Sequence, residues 1–247
     1  LFSVQFFAGP SDASQGDALP DSWLWLTFGI TNIRVGMTSL RVWNYAGMNY
    51  LAFFRVAHRI LEVVPSDMRE RCSAESMAAQ HFDFELLDRQ LRLRSDLDYE
   101  DVSGDALGAL WSWRMDRTVS IDRGNIDPDL WFWCDGVNIH AELIAERLVE
   151  DSQRGAAGWD TGKMSLHEFF VAIEGYRLET LQTVMDRLYM IQVDDDLRLE
   201  WERENLAFLR TPFMESIASS QSEETDWDMV RDWYRKFELA KRGAIPI

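Results

Sequence analysis

Residues 190–204, MIQVDDDLRLEWERE, hold the densest group of side chains able to do chemistry in this 247-residue chain. Asp194, Asp195 and Asp196 stand together, and Glu200, Glu202 and Glu204 follow. On a helix, residues four apart share a face, so Asp196, Glu200 and Glu204 would form one acidic stripe. Magnesium is commonly held by one or two carboxylates plus substrate phosphate oxygens. On a metal reading, Asp195, Asp196 and Glu200 are the ligands of a helical metal-dependent enzyme. Such an enzyme needs facing acids, and Glu142, Glu146 and Glu150, spaced four apart, are the row taken to supply them.

A solvated helix start explains more of the same letters. Asp194 is expected as an N-cap, with Asp195 and Asp196 in the first turn, where acids complement the helix dipole. Asp194–Arg198 and Arg198–Glu202 have ion-pair spacing. Leu197, Trp201 and Phe208 are expected as the buried face. This reading is preferred, and it leaves the chain with no assigned catalytic, cofactor-binding or metal-ligating residue and no cofactor.

Other constellations are weaker. AGWDTGKMS (157–165) resembles a P-loop at Gly162-Lys163, but Met164 stands where the motif needs a hydroxyl, and the preceding segment reads as helix rather than strand. His58, His81, His140 and His167 show no zinc-ligand spacing. His58 lies on an apolar helical stretch and is expected as a core or interface residue. Cys72 and Cys134, the two cysteines, form neither a disulfide framework nor a zinc site. The clusters WLWLTF, WSW and WFW are expected to pack cores and interfaces.

Composition narrows the class. A net charge of −17 disfavours direct binding to nucleic acid or to anionic membrane surfaces. The longest uncharged run, 42–54, is too short to span a bilayer. LFSVQFF carries no basic n-region and does not look like a signal peptide. Eleven Trp and fourteen Phe supply ample anchors for a core and for interfaces. The expected function is therefore a non-enzymatic structural or protein–protein interaction subunit of a larger assembly, such as a viral shell or multiprotein complex. Its partners would be other protein subunits, and its compartment a reducing one or a virus particle.

The elements that must position these residues read as mainly α. The expectation is one domain, 1–247, an irregular body of six to seven helices (38–247) behind a short β-like N-terminal segment (1–37). Phe2, Val4 and Phe6 alternate as in a strand. Thr38 is expected to cap a helix running to Pro65 through Leu40, Trp43, Leu51 and Phe54. Further helices are expected over about 66–93 and 104–116. Asp127-Pro128 reads as another helix start, and Asp135 as the cap of a helix over 136–153. Ser165-Leu-His-Glu168 is a capping box opening a helix over about 166–192. Thr225 and Asp228 are expected to start the last helix, stopped by Gly243.

Overall fold

The computed structural model describes residues 1–9, 18–73, 76, 113–120, 129–144, 159–218 and 224–241. Strand β1 (Phe2–Ala8) buries Phe2, Val4 and Phe6 and turns its alternate residues outward, as the period of two requires. It pairs antiparallel with β2 (Phe28–Val35), which pairs with β3 (Thr38–Tyr45). Gly36, at φ +57°, opens the two-residue hairpin loop between β2 and β3, a conformation glycine adopts without a Cβ penalty.

A second antiparallel sheet runs in the order β4 (Thr118–Ser120), β5 (Asp129–Cys134), β6 (Asn138–Ile144), β7 (Trp159–Ser165). Gly162 of β7 meets the edge of the first sheet. A Cβ there would stand 2.5 Å from the Leu1 carbonyl oxygen, so only glycine fits. Asp160, also on β7, accepts the N–H groups of Met37 and Thr38 at 2.9 and 2.8 Å and pins the β2–β3 turn.

Two helices follow their strands directly. α1 (Ala46–Leu61) continues from β3, and the hydroxyl of Thr27, at the end of a 3-10 turn (Trp23–Thr27), accepts the Gly47 N–H in its first turn at 3.1 Å. α2 (Leu166–Leu188) continues from β7 behind the expected capping box. Glu168 accepts from the Ser165 N–H at 2.7 Å, and Ser165 Oγ accepts from the Glu168 N–H at 3.2 Å. Both helices pack on the inner faces of the sheets. Phe2 (β1), Phe53 (α1), Phe132 (β5) and Phe169 (α2) meet there, with ring centroids 5.3 Å apart for Phe2–Phe132 and 5.7 Å for Phe132–Phe169. Arg187, near the end of α2, donates to the carbonyls of Leu26, Gly9 and Phe28 and ties the 3-10 turn to β1 and β2. Then come α3 (Asp195–Asn205), α4 (Ala207–Arg210), α5 (Phe213–Ala218) and α6 (Trp227–Lys241).

The mainly-α expectation is wrong: the described residues form an α+β fold with two antiparallel sheets of seven strands in all. Two misread segments account for this. In 38–45, Leu40, Val42 and Asn44 are buried while Ser39, Arg41 and Trp43 are exposed, which is a strand pattern. The helical reading joined Leu40 and Trp43 across its two faces, and Thr38 caps nothing. In 138–144, Ile139, Ala141 and Leu143 share the buried face of β6. The pair 139 and 143 fits both a helix and a strand, so spacing alone could not decide. Asp135 caps no helix. Its carboxylate accepts the N–H groups of Val137 and Asn138 at 2.8 and 2.7 Å and closes the β5–β6 turn.

Smaller corrections follow. Residues 69–72 form a 3-10 turn, most of the helices expected over 66–93 and 104–116 lies outside the described residues, as do Asp127-Pro128 and Gly243, and residues 129–134 are strand. The last helix is capped by Asp226, whose carboxylate accepts the Met229 N–H at 2.9 Å, while Thr225 is engaged elsewhere.

Candidate functional site

The outer face of the first sheet divides in two. The register aligns Phe7, Ile30 and Trp43 in one row across the three strands, with Phe28 opposite Tyr45 next to it. Further along, Gln5, Asn32 and Arg41 form a polar row. Phe7, Trp25, Trp43 and Met48 are each more than half exposed. Large apolar side chains grouped on a solvent face are uncommon in a monomeric protein, and such patches are candidate contact surfaces. The rings are held against each other: Phe28 stacks on Trp43 at 5.7 Å, and Trp25 meets Tyr45 edge-on at 5.4 Å.

The patch runs into a cleft of about 560 Å³ where β3 becomes α1, lined by Leu24, Phe28, Trp43, Tyr45, Met48 and Leu51. Its volume and aromatic walls are those of a site that takes an apolar group. Asn44 and Asn49 also line it. Behind them lies a buried network: the Thr31 hydroxyl donates to Asn44 Oδ1 at 2.9 Å, and Asn49 Nδ2 donates to Thr31 Oγ1 at 3.2 Å. Tyr176 of α2 joins at 2.8 Å from Thr31, and burial pushes its phenol well above the ordinary range, so it stays protonated. Asn44 Nδ2 is buried and has no acceptor among the described residues. An unsatisfied buried donor costs about 1–3 kcal/mol.

Arg55 closes the far end of the cleft and also borders a second basin of about 410 Å³, lined by Val56, His58, Arg59, Met115 and Asp116. The two share Ala52 and Arg55, so they adjoin along α1 as two parts of a groove divided at Arg55. Burial, and after it the Arg59 charge, lowers the pKa of His58, which keeps the ring neutral near pH 7.

The residues singled out in the sequence lie elsewhere. Asp194 caps α3 as expected, accepting the Asp196 N–H at 2.9 Å. Asp195, Asp196 and Glu200 are exposed on α3, and Asp195 pairs with Arg198 at 2.9 Å. Glu202 is buried and pairs with Arg210 at 2.5 Å, not with Arg198. Leu197, expected in the buried face, is 56% exposed, while Trp201 is buried and donates to the Pro20 carbonyl. The facing row does not exist as read: Glu142 sits buried on strand β6, and Glu146 and Glu150 lie outside the described residues. No group of three His, Cys, Asp or Glu side chains is placed to hold a metal among the described residues. Asp196→Asn should therefore shift stability by less than about 1 kcal/mol, and millimolar magnesium or manganese should leave the melting temperature of both proteins unchanged. A metal-dependent rise in the parent that the variant lacks would restore the enzyme reading.

Nucleophilic readings fare no better. Gly162 and Lys163 lie within strand β7 and form no phosphate-binding loop. Cys134 pairs with Ile139 and Trp133 with His140, so the thiol and the imidazole occupy opposite faces of their hairpin. His140 stacks on Trp133 at 3.7 Å and bonds Asp135 at 2.9 Å. Burial pushes the Cys72 thiol up to about 12, which leaves it protonated and inert at neutral pH.

Three- and four-residue periodicity does not point to the residues of the cleft, because it reads Trp43 as helical. Alternate spacing from Leu40 to Asn44 was the signal that puts Trp43 and Tyr45 on the other face. Of WLWLTF, Trp23 is buried while Trp25 is exposed; Trp113, Trp131 and Trp133 are core. No helix of the described residues is long and apolar enough to cross a membrane. No protein-family model matches the chain, and neither a curated protein nor a solved structure is significantly similar to it.

Proposed function

We propose that this chain is a non-enzymatic protein-interaction subunit of a larger assembly, and that a protein partner docks on the outer face of the first sheet and the adjoining α1 groove. The observation that carries this is the pair of exposed rings Phe7 and Trp43 on a strand face where polar residues normally stand, with exposed Trp25 of the 3-10 turn beside them against Tyr45. Interface hot spots are enriched in Trp, Tyr and Arg around a desolvated pocket, and here Trp43, Tyr45 and Arg55 border one cleft. Many of the described carboxylates, by contrast, cap helices, close turns or form internal ion pairs.

The test is contact mapping in cells that make the protein. A benzophenone side chain at position 43, which keeps a large aromatic ring in place of the indole, should yield an adduct of one defined mass. The same residue at position 197, equally exposed on α3, should yield none.

A further inference from the structure

We infer that the α1 groove takes an extended acidic segment of the partner, with one large apolar side chain seated among Phe28, Trp43, Tyr45 and Met48 and a neighbouring carboxylate on Arg55. This rests on the docking surface proposed above and adds the chemistry of what docks there. Acids outnumber bases 42 to 25 in the chain, and several arginines on other elements are matched by the chain's own acids, as in Arg117–Glu62, Arg177–Glu174, Arg210–Glu202 and Arg231–Asp67. Arg55 is the exception on this surface. It is exposed and makes no hydrogen bond or ion pair among the described residues. A guanidinium left open beside an aromatic cleft suits a carboxylate arriving from outside.

The rest of the groove agrees. Arg59 in the second basin stands 3.6 Å from Glu62 and 3.9 Å from Asp116 and donates to the Thr225 hydroxyl at 3.4 Å. With Arg55 it gives the groove an excess of positive charge over Asp116, against the sign of the whole molecule. Such local complementarity steers an acidic segment and repels a basic one. At the other end, the unpaired Asn44 amide donor, nine-tenths buried, suits a backbone carbonyl. From Met48 to Arg59 the helix rises about 16 Å, at ~1.5 Å per residue. An extended segment of about five residues covers that distance.

The experiment measures binding of two blocked, dye-labelled pentapeptide pools to the purified chain by fluorescence polarisation. One pool has Asp or Glu at the four flanking positions and Phe, Leu or Ile at the centre. The other has Lys or Arg at the flanks. The acidic pool should bind about tenfold tighter or better. Arg55→Glu should remove that preference, and Trp43→Ala should weaken the acidic pool, with melting temperatures near the parent's. Equal binding of both pools, or no effect of Arg55→Glu, overturns the inference. If crosslinking from position 43 still finds a partner in that case, the docking surface stands and only the acidic chemistry fails. If crosslinking finds none either, both readings fall.

Discussion

Replacing Glu62 with alanine should lower the unfolding free energy by about 3–5 kcal/mol, the cost of leaving a buried charge without its partner. Glu62 is the C-cap of α1 and joins three elements. Its carboxylate accepts from Arg117 at 2.6 Å, from the Thr225 N–H and hydroxyl at 2.8 and 2.6 Å, and from Trp227 Nε1 at 3.1 Å. Arg117 is fully buried, so alanine at 62 leaves its guanidinium without a counter-charge, bonded only to the Trp113 carbonyl and the Thr225 hydroxyl, and releases the start of α6 at once. Since native domains are stable by only about 5–15 kcal/mol, the loss is a large share of the total. Glu62→Gln keeps one oxygen, enough to accept from the Thr225 N–H and Trp227 Nε1, and should cost less. Urea unfolding of the three proteins checks the order, and equal midpoints would remove Glu62 from its structural role.

The pH dependence follows from the same carboxylate. Burial raises its pKa, but the Thr225 hydrogen bonds and the Arg117 charge outweigh burial and hold it below the ordinary 4.5. The unfolded chain therefore takes up this proton first as pH falls. The stability contributed by Glu62 is complete above about 4.5 and is lost as pH drops through the lower folded-state value. Glu62→Gln should flatten that part of the acid-unfolding curve.

The second large effect concerns binding. Trp43→Ala should weaken the partner complex by about 2–4 kcal/mol, in the range of central aromatic hot spots. That is a loss of roughly 30- to 1000-fold in affinity. The fold should lose little, on the order of 1 kcal/mol, because the ring is 56% exposed and its removal costs mainly strand propensity and the contact with Phe28. Separating the two readouts matters. A variant that binds as well as the parent would leave the exposed rings without a function, and one that unfolds would make Trp43 part of the scaffold. Calorimetric titration with the crosslinked partner, beside a melting curve, distinguishes these outcomes.

Local signals in the sequence were read correctly where the interaction is itself local. Phe2, Val4 and Phe6 alternate within one strand. Ser165 and Glu168 bond each other three residues apart, and Asp194 bonds the backbone two residues on. The failures arise where meaning depends on distant partners. Leu40–Tyr45 is apolar enough for a buried helix, and only its pairing with Phe28–Ile33 across the Gly36 turn makes it a strand. Glu62 looks like any surface acid at a helix end until Thr225 and Arg117 arrive from more than 50 residues away. The acidic run drew attention because its charges are adjacent in sequence, yet proximity along a helix surface does not make a site. The groove on α1 was invisible for the complementary reason: Phe28, Trp43, Met48 and Arg55 are ordinary letters until the sheet and helix bring them together.

The most direct measurement is the pair of photo-crosslinking experiments at positions 43 and 197. The two side chains, 56% exposed in each case, report equally well on random collisions. The expected result is a single adduct, of constant mass, from position 43 alone, reduced when Arg55 is also changed to Glu. No adduct from position 43, or the same adducts from both positions, would contradict the assignment of this sheet face as the docking surface.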